Sequence, residues 1–235
     1  MKTEGVKPRR RIPGFSILDL LIIIVAVAGI IFIILPSIAR SRVRSSRINC
    51  TNNLKQVGLS FRQWGQDQND KYPMQVAATN GGVMEQAQLG SAYAVFLVMS
   101  NELSTPKILF CPNESNPRRK AANTFAQTVP PGSPPYLVPF TPTNNLSYFV
   151  GLDADNAKPD TIIAGDDHFK IGKTRPKPGL LQLATNSPVT WTKKRFHEYG
   201  GNVGMADGSV QRYSTPAFRA ALVKTGIATN RLAMP

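Results

Sequence analysis

The sequence predicts an α+β fold in which one long N-terminal helix packs on an antiparallel β-sheet. Three observations lead to this prediction: an apolar run near the start, an amphipathic stretch directly after it, and short β-rich runs in the C-terminal half. The chain has 235 residues, which is enough for one sizeable domain with an appendage.

The apolar run covers residues 15–35 and contains one charged side chain, Asp19. A helix of this length spans about 30 Å, the thickness of a bilayer core. A secretory signal peptide has a shorter apolar region with its cleavage site afterwards, whereas here Gly14 precedes the run. We therefore expect a basic leader at 1–14 and a transmembrane helix at 15–36. Arginines also follow the span, so the charge distribution alone leaves its orientation open.

The amphipathic stretch covers residues 37–69 and continues the same helix. Its apolar residues recur at spacings of three and four, which places them on one helical face; they are Cys50, Leu54, Val57, Phe61 and Trp64. The opposite face is polar, and no proline interrupts residues 37–67. We expect the apolar face to pack on a globular domain at 70–235.

Within that domain, residues 92–100 are predicted as a buried helix or strand, and residues 107–112 as a short strand. Six prolines fall between residues 130 and 142, so we expect 128–143 to be an irregular surface loop. Asp207-Gly208 lies between two β-rich runs and predicts a hairpin with a two-residue loop. Residues 215–226 predict a closing helix capped by Gly226.

The net charge of +14 could attract nucleic acid, anionic lipid or acidic polysaccharide, but we favour a solvated basic surface and do not expect a nucleic-acid partner. Cys50 and Cys111 are the two cysteines, and the absence of a CxxC pair argues against a zinc ribbon. They predict one disulfide in an oxidising compartment and two thiols in the cytosol.

The N-terminal pattern resembles that of type IV prepilins and type II secretion pseudopilins over about the first sixty residues. The shared order is a basic leader, Gly14, Phe15, the acidic Asp19 and a long apolar helix with Pro36. The resemblance implies cleavage after Gly14 and methylation of the Phe15 amine by a prepilin peptidase. It also implies a single-pass protein of the bacterial inner membrane, with its N-terminus cytoplasmic and its C-terminal domain periplasmic.

The resemblance gives roles to two residues of the span. In a filament, Asp19 can pair with the Phe15 amine of a neighbouring subunit, although the family normally has Glu at this position; the alternative is a carboxylate that reaches the membrane interface. Pro36 is expected to loosen the helix or to end it. A periplasmic domain also favours a Cys50–Cys111 disulfide, which in the chain-entropy model contributes about 4 kcal/mol.

His197, followed after nine residues by Asp207-Gly208, resembles the C-terminal motif of a subgroup of large pseudopilin-like proteins. We expect a structural role for it. Some major pseudopilins bind calcium in a C-terminal loop. Asp153, Asp155 and Asn156 offer oxygen ligands that suit such a cation, and Asp166 and Asp167 next to His168 could form a second cluster. Both stretches suit turns equally well.

We therefore expect a non-enzymatic, pseudopilin-like subunit without a cofactor, which assembles with its own copies and with other pseudopilins on the inner-membrane secretion platform. Three alternatives stay open. The chain could be a surface type IV pilus subunit, an uncleaved membrane-anchored module that binds an anionic glycan, or a membrane-anchored enzyme that uses His197 and Asp207.

Overall fold

The structure, a computed structural model, describes residues 17–112, 114, 116–142, 144–192 and 199–235. Within helix α1 the side chains of residues 36, 37 and 39–43 are not described. The chain divides into two compact units, one ending at Arg44 and the other spanning Ser45–Pro235.

Helix α1, Ile17–Gln66, supplies every described residue of the first unit and the first helix of the second. Its segment Ile17–Leu35 has a mean hydropathy of 3.2 and is long and apolar enough to cross a membrane. The predicted N-terminal apolar helix is confirmed for these residues. The helix also continues through Pro36, so the proline does not end it.

The second unit is mixed α and β, as predicted. Three short helices follow α1: α2 at Met84–Gln88, α3 at Ala92–Val98 and α4 at Ser100–Leu103. The strands are β1 Tyr148–Gly151, β2 Ile162–Asp166, β3 Phe169–Ile171, β4 Gly179–Ala184, β5 Val189–Trp191, β6 Gly200–Met205, β7 Val210–Ser214 and β8 Thr229–Met234. Helix α5, Thr215–Lys224, lies between the last two strands.

Six strands form one sheet in the order β4-β8-β1-β2-β6-β7, and every neighbouring pair is antiparallel. Strands β3 and β5 form a separate antiparallel ribbon. The predicted antiparallel sheet is therefore confirmed.

The two faces of the sheet bury different groups. Because side chains alternate along a strand, Tyr148 and Val150 of β1 join one cluster while Phe149 joins the other. The first cluster contains the apolar stripe of α1 and residues of α3. The second is built around aromatic rings from the β3–β5 ribbon and α5, among them Phe169, Trp191 and Phe218.

Some local predictions need correction. The predicted strand at 107–112 is wrong, because Pro106–Leu109 form a 3-10 helix. Thr105 caps this turn by accepting a hydrogen bond from the Lys107 N–H, and the fixed φ of Pro106 suits a first helical position. The ambiguous segment at 92–100 is helical, since Ser91 caps α3 by accepting from the Ala94 N–H. Strands β3 and β8 were not predicted.

Two other predictions hold in part. The described residues at 128–143 contain no helix or strand, but Phe140 is fully buried in the first cluster, so this loop does not lie wholly on the surface. The predicted helix forms as α5, and Gly226 follows its end with φ of +69°, but β8 comes after it, so this helix does not close the chain.

Candidate functional site

The residues predicted to act in processing and assembly lie at the N-terminus. Gly14 and Phe15 are outside the described residues. Asp19 lies in the first turn of α1 with an exposed side chain. A carboxylate in this position interacts favourably with the helix dipole, whose positive end is at the N-terminus. It is also the one charged side chain within the apolar stretch Ile17–Leu35.

The apolar stripe in the second half of α1 is buried, as predicted. Cys50, Val57 and Phe61 have no exposed surface, and Leu54 and Trp64 are at most 7% exposed. The Phe61 ring makes edge contacts with the rings of Tyr72 and Phe96. This half of the helix is therefore part of the domain core.

A disulfide between Cys50 and Cys111 confirms the predicted pairing. Their Cα atoms are 5.4 Å apart, and both residues are fully buried. Beside the disulfide, the Asn53 side-chain amide donates to the Phe110 carbonyl at 3.2 Å. The disulfide closes a loop of 61 residues and holds α1 against the segment that follows the 3-10 helix Pro106–Leu109.

The predicted hairpin at Asp207-Gly208 forms between β6 and β7, but its loop has three residues, 206–208. The Gly208 N–H donates to the Met205 carbonyl, and the Met205 N–H donates to Ser209, both at 2.9 Å. Gly208 occupies the left-handed region, with φ of +85°. The loop is thus a turn followed by a glycine in the left-handed conformation, which suits the twist of the two strands.

This turn packs directly on helix α1. The Arg62 guanidinium donates to the Asp207 carbonyl at 3.0 Å, and a Cβ added to Gly58 would lie 3.9 Å from the Gly208 Cα. The Tyr72 hydroxyl donates to the Ala206 carbonyl at 3.3 Å. The Asp207-Gly208 pair therefore shapes a turn that docks on the helix, whereas His197 lies outside the described residues.

A second connection joins α1 to β6 and continues from β6 to a buried carboxylate at the end of β2. The Thr51 hydroxyl lies 3.4 Å from Asn202 Oδ1. The backbone N–H and side-chain amide of Asn202 donate to Asp166 Oδ2 at 2.7 and 3.1 Å. Asp166 has no exposed surface. Sequence reasoning treated Asp166 as a candidate cation ligand and missed Asn202 altogether, because a lone Asn in a Gly-rich strand carries no motif.

The buried environment around Asp166 raises the pKa of Tyr148 well above its ordinary value. Burial is the largest cause, and the Asp166 carboxylate adds to it. Nearby, Arg119 pairs with Asp167 and with Glu114. Burial lowers the pKa of Arg119, but these two carboxylates outweigh it and raise the pKa overall.

The first calcium candidates are occupied by protein donors. Asp153 accepts three hydrogen bonds from the backbone and guanidinium of Arg231, at 2.6 to 2.8 Å. Asp155 accepts from the Ala157 N–H, and the Asn156 amide donates to Asp70. The Asp153 carboxylate is therefore paired with Arg231, whereas the contact between Asn156 and Asp70 uses the amide nitrogen of Asn156.

Each side chain of the second candidate cluster also contacts a different group of the protein. Asp166 is bonded to Asn202, Asp167 pairs with Arg119, and the His168 ring lies 3.1 Å from the Gly200 carbonyl. Across the described part of the chain, no group of three or more His, Cys, Asp or Glu side chains could hold a metal ion.

No protein-family model matches this chain, and neither a curated protein nor a solved structure is significantly similar to it.

Proposed function

We propose that this protein is a pseudopilin-like structural subunit. A prepilin peptidase cleaves it after Gly14 and methylates Phe15, and the mature chain assembles into a periplasmic pseudopilus for type II secretion. One observation carries the proposal: helix α1 contains both an acid-bearing apolar stretch and a stripe buried in an α+β domain. The order of Gly14, Phe15, Asp19 and Pro36 in the sequence supports the same proposal.

Asp19 is the residue that distinguishes assembly from simple anchoring. A charged side chain inside a membrane span is expensive, so it is expected to serve a function. In the proposed filament, the Phe15 amine of a neighbouring subunit supplies the opposite charge. Such a pair sets the register between subunits, a role that buried polar groups fill in other assemblies.

The disulfide supports the proposed location of the domain. Disulfides persist in oxidising compartments such as the bacterial periplasm and are rare in the cytosol. A periplasmic second unit places the basic leader, residues 1–14, on the cytoplasmic side of the membrane, where a prepilin peptidase acts in the family that the chain resembles.

The decisive experiment compares Asp19→Ala with Asp19→Glu in cells that assemble the filament. We expect Asp19→Ala to abolish recovery of the subunit in sheared filaments, while its amount in membranes and its disulfide stay unchanged. Asp19→Glu keeps the charge and should assemble. Normal entry of Asp19→Ala subunits into filaments would contradict the proposed pairing.

A second candidate, an uncleaved anchored module that binds an anionic glycan, is consistent with the net charge of +14. This candidate predicts that the leader is retained and that no filament forms. A surface type IV pilus subunit predicts filaments outside the cell. Locating the assembled subunit by fractionation therefore separates all three functions.

A further inference from the structure

Strand β4 forms one edge of the six-stranded sheet. Among the described strands it pairs only with β8, along all of its residues, Gly179–Ala184. An edge strand presents a row of backbone N–H and C=O groups that can pair with another extended chain. The outer edge of β4 is therefore a candidate interaction surface of the second unit.

The direction of the backbone groups along β4 follows from the register. The Thr185 N–H donates to the Ala228 carbonyl at 3.3 Å, and this pair continues the register of β4 and β8. Because hydrogen-bonded pairs alternate along an antiparallel ladder, the odd-numbered residues of β4 bond to β8. The backbone groups of Leu180 and Gln182 consequently point away from β8. No hydrogen bond to a described residue uses them.

Strand β4 lacks the features that commonly protect an edge from pairing. Its sequence, GLLQLA, contains neither a charged residue nor a proline. Soluble proteins often place lysine, proline or an inward-pointing charge in an exposed edge strand to prevent pairing. The opposite edge strand, β7, carries Arg212 at its centre. Of these two edges, β4 is the one suited to accept another strand.

Two exposed leucines lie beside this edge. The Leu180 side chain is 41% exposed, and Leu89, which lies between α2 and α3, is 81% exposed. Gly90 allows the connection between these helices to lie against β4, because a Cβ on Gly90 would be 1.9 Å from the Leu180 nitrogen. A strand added to β4 would therefore gain apolar contacts as well as backbone hydrogen bonds.

The connection before β4 indicates the charge of the partner. Residues 172–178 contain no acidic residue and carry three exposed basic side chains, Lys173, Arg175 and Lys177. No ion pair or hydrogen bond to a described residue uses these three side chains. The C-terminal end of a strand added antiparallel to β4 would pass these cations, so an acidic end is complementary to them. A second copy of this chain, with its net charge of +14, is a poorer match.

We propose that the β4 edge binds an extended, acidic segment of another protein as an additional strand of the sheet. The segment runs antiparallel to β4, as do all neighbouring strands of this sheet, and its acidic residues follow the part that pairs. An acidic polysaccharide would neutralise the cations but offers no row of peptide groups to Leu180 and Gln182. The site depends on neither cleavage nor filament assembly, so its failure would leave the proposed function untouched.

The test is fluorescence anisotropy of a labelled peptide with the full chain in a neutral detergent. The probe peptide alternates threonine and valine and ends in three aspartates. One control peptide ends in three lysines, and a second begins with the aspartates instead. A third control is N-methylated throughout its alternating part, which removes the N–H donors needed to pair with a strand edge.

Variants of the chain locate the binding site. The charge variant reverses the three cations before β4: Lys173→Glu/Arg175→Glu/Lys177→Glu. Its matched control reverses three exposed lysines elsewhere in the second unit: Lys55→Glu/Lys71→Glu/Lys107→Glu. Gln182→Pro removes an N–H that points away from β8. Thermal unfolding of each variant checks the fold, and the N-methylated peptide tests the same hydrogen bonds should Gln182→Pro unfold early.

We expect the aspartate-ended probe to bind about ten-fold more tightly than each control peptide. The charge variant should lose about ten-fold in affinity at low salt, while its matched control changes little. Gln182→Pro should lose about five-fold. High salt should abolish the effect of the charge variant and leave that of Gln182→Pro, because salt screens exposed charges.

Four results would overturn the proposal. The first is equal binding of the aspartate-ended and lysine-ended peptides. The second is an equal loss in the charge variant and its matched control, which would mean unspecific attraction to a basic protein. The third is undiminished binding of the N-methylated peptide, which would exclude strand pairing. The fourth is a dimer in sedimentation that Gln182→Pro dissociates, which would assign the edge to a second copy of the chain.

Discussion

The two halves of helix α1 have opposite relations to the rest of the chain. In Ile17–Leu35, the more apolar half, none of the apolar window is buried within the structure. Between Cys50 and Trp64, a less apolar sequence has a stripe of five residues that are nearly or fully buried. Hydrophobicity alone therefore does not show whether a face of this helix is buried by the protein's own domain. The second half is covered by its own domain, whereas the first is apolar and long enough to cross a membrane and is not buried within the structure.

The largest effect should come from removing the central ring of the buried half. Phe61→Ala takes away a fully buried side chain, and we expect the free energy of unfolding to fall by about 4 kcal/mol. Urea unfolding of the full chain in detergent measures it by tryptophan fluorescence. Both tryptophans, Trp64 and Trp191, report on the second unit.

The matched control is Ile24→Ala in the exposed half. Because Ile24 is 58% exposed, this change should leave the urea midpoint of the second unit unchanged. Comparable losses of unfolding free energy in Phe61→Ala and Ile24→Ala would contradict the difference in burial between the two halves of α1.

Removing the disulfide should have the next largest effect. The Cys50→Ala/Cys111→Ala double variant frees a loop of 61 residues. We expect the free energy of unfolding to fall by about 3 kcal/mol, less than the chain-entropy value of about 4 kcal/mol, because measured effects of disulfides are often smaller than that model gives. Reduction of the wild-type chain in urea should move its midpoint to that of the variant. A reduced wild-type chain as stable as the oxidised one would contradict this account.

The hairpin turn at 206–208 gives a third test of the comparison, because the second half of α1 contacts this turn in the C-terminal part of the chain. Gly208→Ala forces alanine into a left-handed conformation and places a Cβ 3.2 Å from the Arg62 guanidinium, so we expect a loss of about 2 kcal/mol. Gly81→Ala is the control, since Gly81 has φ of +83° and no neighbouring atom within 4 Å. An equal loss in the two variants would mean that the turn gains nothing from its contact with the helix.

The smallest effect is a loss of stability at alkaline pH. Burial, followed by the Asp166 charge, raises the pKa of Tyr148 in the folded state, whereas the unfolded tyrosine ionises near its ordinary value. The contribution is therefore complete below about pH 10 and is lost as pH rises above it, by at most about 1.4 kcal/mol per pH unit. Urea unfolding at pH 8 and pH 11 should show a smaller decline in Tyr148→Phe than in the wild type. Identical declines would exclude Tyr148 as the cause.

The sequence predicted the elements whose signals are local and strong. The spacing of Leu54, Val57 and Phe61 identified the buried face of α1, because helical periodicity depends on nothing else in the chain. Asp207-Gly208 located the C-terminal hairpin for a similar reason, since a glycine is needed where φ is positive. The predicted loop was one residue too short, because the sequence does not show which residue pair closes the hairpin.

Other features depend on contacts between distant residues. Residues 107–112 look like a strand by composition, but the Thr105 cap and Pro106 start a 3-10 helix instead. The network of Thr51, Asn202 and Asp166 joins residues up to 151 positions apart, and no single stretch carries a signal for it. Asp153 pairs with Arg231, which lies 78 residues away, and no local pattern around Asp153 indicates that contact.

The central claim is that the apolar half of α1 is exposed to a membrane or a neighbouring subunit after cleavage at Gly14. Intact mass and N-terminal sequencing of the protein from native membranes test it most directly. The account predicts a chain that begins at Phe15 and carries one extra methyl group. A chain that still begins at Met1 would contradict it, because Asp19 would then lack the amine proposed as its partner.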